Sequence, residues 1–190
     1  MADRTPPSHR RRSTPMAHVV RTAVFAAALG LIATTWMAPP AVAKVSKGDR
    51  AAELGGVRDR KNRKIRLRDY RGKVVVLTFG ASWCKPCGKE LPAYEKLARK
   101  FKKRGANVAF VAVNIDKDRH NADAFIKASG LSAVRVGYDP NGNAVETYAP
   151  DTMPTTYIIG PKGIVRHVHA GYESGDERDV EAKVQALLSR

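Results

Sequence analysis

The chain has 190 residues, 34 Lys and Arg against 18 Asp and Glu, and a formal net charge of +16. With 43% hydrophobic residues and only two Cys, it is too apolar for a disordered chain and too poor in cysteine for a disulfide-stapled miniprotein. That length suits one ordinary domain plus an additional segment.

The additional segment lies first. Arg10, Arg11 and Arg12, then Arg21, precede a charge-free apolar run from Thr22 to Ala38, followed by Pro39-Pro40 and Ala41-Val42-Ala43. A basic start, an apolar middle and a small-x-small end describe a secretory signal peptide, expected over residues 1–43 with cleavage after Ala43. The alternative is an uncleaved membrane anchor, because the apolar run is only slightly short of a span. Either way the following domain, 44–190, is expected outside the cytoplasm, in the periplasm. The first 43 residues hold five Arg and one Asp, so the remainder keeps a formal charge of +12.

Much of that charge falls between Arg58 and Lys73, where nine of sixteen residues are Lys or Arg. Ile65 and Leu67 alternate with them, which predicts a strand with one buried and one cationic face. Such a face keeps an edge strand from aggregating. It also suits an anionic membrane surface or an acidic partner. Tyr70 is the one aromatic residue interleaved there, too few for a stacking platform, so nucleic acid is not expected as a partner.

Lys73 to Phe79 is a continuous apolar run, the pattern of a strand covered on both faces. After a turn at Gly80 to Trp83, apolar Leu91, Tyr94, Leu97, Ala98 and Phe101 recur at helical spacing, predicting a helix from Cys84 to about Lys103. Gly105 ends it. Val108 to Val113 is a second buried strand. Asn121 is expected to cap a short helix running to Ser129. Val134 to Tyr138 reads as a strand before the Asp139-Pro140-Asn141-Gly142 turn. Thr155 to Ile159 and Ile164 to Ala170, joined by Gly160-Pro161-Lys162-Gly163, form an antiparallel hairpin. A helix from Asp176 to Leu188 closes an α/β three-layer sandwich.

Both cysteines lie in Trp83-Cys84-Lys85-Pro86-Cys87, at the junction of buried strand and helix. C-x-x-C in that place reads as a thiol redox site. At a helix N-terminus the unpaired N–H groups and the macrodipole favour an anion, here the Cys84 thiolate, which is the attacking form. Cys87, one turn on, is placed to resolve a mixed disulfide on Cys84. A structural disulfide, two inert thiols, or a zinc site recruiting His120, His167 or His169 are the bland alternatives. The redox reading needs no cofactor or metal beyond the Cys84-Cys87 pair itself.

The run from Arg71 to Cys87, with Glu90-Leu91-Pro92 and Met153-Pro154-Thr155-Thr156-Tyr157-Ile158-Ile159 downstream, resembles the TlpA/ResA-like branch of the thioredoxin superfamily. The resemblance spans Ala51 to Leu188. It implies a thioredoxin-like sandwich with a central mixed sheet, an N-terminal extension and a central insert from Asp116 to Val136. It implies a cis bond before Pro154 and a kink at Pro92. Trp83, Pro86, Met153 and Pro154 then position substrate, with the Met153 backbone pairing an extended client segment. Members of this branch act as protein-disulfide reductases outside the cytoplasm, often on apocytochrome c, and draw electrons from a membrane thiol donor.

Two departures bear on mechanism. Thr78 stands where small thioredoxins carry a buried acid, so a proton relay would have to come from Glu90 or Asp116. Glu90 could equally be an ordinary acid of the helix. Gly80 replaces a common aromatic, which suggests a more open site floor. Around Cys84 the P-x-x-x-T-x-x-C pattern of peroxide reductases is absent. A disulfide-forming oxidase and a non-catalytic thioredoxin-like binding module or chaperone remain the rivals.

Overall fold

Five strands form one sheet in the order β3-β2-β1-β4-β5, in a computed structural model that describes residues 44–189. Strand β1 (Val74–Gly80) lies at its centre, parallel to β2 (Val108–Asn114), which is parallel to β3 (Arg135–Tyr138). On its other side β1 pairs antiparallel with β4 (Thr155–Ile159), and β4 with β5 (Val165–Ala170). The sheet is therefore mixed, as the resemblance implies. The expected signal peptide and its expected cleavage after Ala43 lie outside the described residues. Among those described, no helix is long and apolar enough to cross a membrane.

The period-2 geometry of β1 divides its side chains between two cores. Val75, Leu77 and Phe79 pack with Leu54, Val57, Ile65, Leu67, Ala144 and Tyr148, the layer made by the N-terminal extension and α3 (Asn143–Tyr148). Val74 and Val76 pack on the other face against α1 (Lys85–Lys103) and α4 (Asp176–Leu188), through Leu91, Tyr94, Phe101, Val180 and Val184. The remaining helix, α2 (Arg119–Ala128), joins that second core through Ile126.

Three local expectations are corrected. No strand forms across Ile65 and Leu67. Both are buried and their basic neighbours exposed, but the segment runs irregularly into a 3-10 turn at Leu67–Tyr70. The Glu53 carboxylate accepts from the N–H groups of Leu67 and Arg68, satisfying donors that a neighbouring strand would otherwise take. The cap of α2 is Asp118, whose carboxylate accepts from the Asn121 N–H at 2.8 Å; Asn121 is the donor. Helix α3 forms directly after the Asp139–Gly142 turn, where the sequence pattern predicts no element. At six residues it is too short to stand on propensity. Asp139 caps it from outside by accepting from Ala144 and Val145, and Tyr148 wedges between Phe79 and Tyr157.

Close packing of the extension depends on Gly137 in β3. A side chain there would collide with Val57 Cγ1 and come within 2.8 Å of Ile65 Cδ1. The missing Cβ lets the extension's apolar residues reach the sheet.

Candidate functional site

Cys84 caps α1 rather than opening it. Its backbone is extended, and its sulfur accepts from the Cys87 N–H at 3.3 Å. Pro86 follows in the first turn, where its absent N–H would have had no helical partner. Cys84 and Cys87 are joined as a disulfide with Cα atoms 5.3 Å apart. Among the described residues, no group of three or more His, Cys, Asp or Glu is placed to hold a metal.

The two sulfurs have different surroundings. Cys87 is wholly buried and Cys84 is 5% exposed, while neighbouring Trp83 is 64% exposed. The turn carrying Trp83 and Cys84 is held by Asp116, which accepts from the Ser82 N–H at 2.9 Å, the Ser82 hydroxyl at 2.8 Å and Asn114 Nδ2 at 2.7 Å. With its oxygens committed there, Asp116 is a fastener of the turn.

Glu90 is no ordinary helix acid. It is completely buried, and its two oxygens accept from Thr78 Oγ1 and Thr156 Oγ1, both at 2.8 Å. Burial raises its pKa to about 7 against the opposing pull of the hydroxyl bonds from Thr156 and Thr78. Tyr94, one turn further along α1, bonds the Thr156 hydroxyl at 3.1 Å. Because Thr156 donates to Glu90, Tyr94 donates to Thr156. Its own pKa is raised, by burial first and then by the neighbouring Glu90 charge.

Helix and strand are in step. Cys87 and Glu90 are one turn apart on α1; Gly80 and Thr78 are two residues apart on the same face of β1. Thr78 meets Glu90, and a Cβ on Gly80 would lie 3.1 Å from Cys87 Sγ. Gly80 therefore does not open the site floor: the resolving sulfur occupies the space that a side chain would need.

The Met153–Pro154 bond is cis. Phe79 pairs with Thr155, so continuing the antiparallel register sets Pro154 beside Gly80 and thus beside Cys87. The Pro154 carbonyl accepts from Gly171 N–H at 2.8 Å, whereas the backbone N–H and C=O of Met153 have no backbone partner among the described residues. The structure brings Trp83, Cys84, Pro86, Cys87, Met153 and Pro154 to one end of the sheet, with Glu90 beneath. Reading the sequence missed Thr156 and Tyr94. The motif quoted Thr156, but only its pairing opposite Thr78 reveals the bond to Glu90.

Comparison with known proteins agrees with this geometry. The AhpC/TSA family matches residues 48–168. Thiol-disulfide oxidoreductase ResA of Geobacillus kaustophilus is 32% identical over 129 residues, covering 68% of this chain and 71% of the relative. ResA of Bacillus subtilis is 34% identical over 113 residues, covering 60% of this chain and 62% of the relative. A Chlorobium tepidum structure assigned as thiol:disulfide interchange protein DsbE superposes with a TM-score of 0.69 at 31% identity, covering 76% of this chain and 99% of that one. The exposed lipoprotein thioredoxin of Streptococcus pneumoniae gives 0.56 at 27% identity, covering 69% and 97%. A dithiol at a helix N-terminus, a thioredoxin-like sheet and these likenesses together place the chain in the AhpC/TSA family, among its ResA-like thiol-disulfide oxidoreductases.

Proposed function

We propose that the chain works outside the cytoplasm as a reductase of protein disulfides, with apocytochrome c as a candidate client and a membrane thiol donor as its source of electrons. The apolar segment after Arg21 supports export, and a solved relative is an exposed lipoprotein. In the reduced enzyme the Cys84 thiolate attacks one sulfur of the client's disulfide. A Cys84–client bond forms and the other client sulfur leaves as a thiolate. Cys87, deprotonated, then attacks Cys84 Sγ, restoring the Cys84–Cys87 disulfide and releasing the second client thiolate. Two electrons pass to the client, and the donor returns them.

One observation carries this reading: Cys84 Sγ stands at the N-terminus of α1, accepting from the Cys87 N–H, with the Cys87 side chain buried behind it. That donor and the helix dipole favour the attacking thiolate, and burial keeps the resolving sulfur from competing clients. Glu90, poised near neutrality, takes the Cys87 proton in the resolving step. The open Met153 backbone offers a client segment a strand edge to pair with, and Trp83 and Pro86 flank the approach.

The test is insulin reduction by the purified chain, with Cys84→Ser abolishing turnover. Cys87→Ser should accumulate a thiol-sensitive mixed disulfide with its client in cells. A chain that reduces nothing, or a Cys87→Ser variant that traps nothing, overturns the proposal. A reduction potential far above that of the glutathione pool would reassign the direction to oxidation.

A further inference from the structure

The extension and the insert together build a positive cleft that the redox chemistry does not use. It has a volume of about 450 Å³ and is walled by Arg58, Arg60, Arg119, Asn62 and Asn141. Its frame is rigid. The backbones of Arg58 and Tyr138 exchange hydrogen bonds, and the Arg119 guanidinium lies 3.8 Å from the centre of the Tyr138 ring.

Charge in this cleft is unbalanced. Arg60 and Arg119 share a single carboxylate, Asp123, and Arg58 donates only to the Asn62 carbonyl, at 2.9 Å. Nη2 of Arg58 and both terminal nitrogens of Arg119 have no partner among the described residues. The two acids lining the cleft face inward: Asp59 is held by Arg63 and Arg135, and Asp139 by the N–H groups of Ala144 and Val145. Guanidinium forks arranged in this way match carboxylates.

The cleft also has a direction. Pro140 and Asn141 form one of its walls and are shared with a second groove, of about 680 Å³, that reaches Ser82 and Trp83 beside Cys84. A polypeptide whose disulfide lies at Cys84 can follow that groove past Asn141 and arrive among the arginines. A lipid surface would need a flat or convex face, whereas these groups line a concavity.

Resting on the reductase reading, we propose that the Arg58–Arg60–Arg119 cleft is a docking subsite for acidic side chains that flank the disulfide of the client polypeptide. The site would thus select clients by charge at a distance from the sulfur chemistry.

The whole chain should be assayed on two disulfide peptides that are identical except for a flank of Glu or of Gln. The acidic peptide should be reduced roughly tenfold better in kcat/KM at low salt, with the advantage fading as salt is raised. Arg58→Glu, whose parent side chain bonds only a backbone carbonyl, should erase the preference without slowing the Gln peptide. Lys73→Glu, an equal charge change outside the cleft, should leave the preference in place. Equal rates for both peptides, or equal losses in the two variants, overturn the subsite. A cysteine-free Glu peptide titrated by fluorescence anisotropy separates the two readings. Arg58-dependent binding without any reduction supports the subsite and removes the reductase. Reduction without such binding does the reverse. Arg58-dependent binding to anionic vesicles, with none to the peptide, overturns the peptide subsite.

Discussion

The Thr78 hydroxyl donates a 2.8 Å hydrogen bond across the sheet–helix interface to Glu90 Oε2. The β1 position that lacks an acid thus reaches the acid supplied by α1, and Thr156 secures the other oxygen from β4. A buried carboxyl at that point has consequences for stability, turnover and packing that can each be measured.

Stability should fall as pH rises. Glu90 titrates near the ordinary glutamate value of 4.5 in the unfolded chain and at about 7 in the folded one. Between these values the folded state holds more protons, so each rise in pH favours unfolding. The loss begins above pH 4.5, is complete a little above 7 and totals about 3 kcal/mol. Urea unfolding of the oxidised chain from pH 4 to 8 measures it. In Glu90→Gln this component should vanish, and an unchanged slope would refute the assignment.

Turnover should report the same group. Under the proposed relay, Glu90→Gln removes the acceptor for the Cys87 proton, and the rate of client reduction is expected to fall by about two orders of magnitude. The inflection near neutrality in the pH–rate profile should disappear with it. Stopped-flow measurement of mixed-disulfide decay would locate the loss in the resolving step.

Gly80→Ala should disturb the same step by crowding. The added Cβ would stand 3.1 Å from Cys87 Sγ and 3.2 Å from Cys87 Cβ, with β1 fixed by strands on both sides. Overpacking of this kind costs about 1–3 kcal/mol. Thermal unfolding should register the cost, and the Cys84–client adduct should persist longer than in the parent chain.

Gly137→Ala tests the attachment of the N-terminal extension. Its Cβ meets Val57 and Ile65, two wholly or nearly buried residues, so the expected destabilisation is again about 1–3 kcal/mol. Limited proteolysis should cut first in the basic segment from Arg58 to Lys73, while the dithiol remains reactive.

Glu95 anchors the insert. Burial alone would raise its pKa, but bonds from Arg99, Ser132 and the N–H of Val134 outweigh that and hold it at about 2. Its carboxylate accepts from the N–H groups of Ser132, Ala133 and Val134 in the loop before β3. Glu95→Ala strands those donors and should cost about 3 kcal/mol, read by denaturant unfolding. Because the depressed carboxylate stabilises the fold only while charged, this contribution should be lost as pH falls from 4.5 towards 2.

Order along the chain was enough to establish the sheet strands at its centre, the helix that follows Cys84 and the thiol-disulfide class to which the Cys84–Cys87 motif belongs. Each of these rests on a short-range pattern: a continuous apolar run, a 3.6-residue period, or two sulfurs one turn apart. What escaped that reading depends on residues far apart in sequence. Ile65 and Leu67 alternate like a strand, but the Ile65 N–H donates to the Val57 carbonyl, Glu53 takes the N–H groups of Leu67 and Arg68, and Gly137 makes room for Ile65. Asn143–Tyr148 becomes helical because Asp139 caps it and two aromatic rings enclose Tyr148. Most of all, Glu90 looks like any helix carboxylate until β1 and β4 bring two hydroxyls to it. Its role is decided by burial and by partners 12 and 66 residues away, which no local pattern can express.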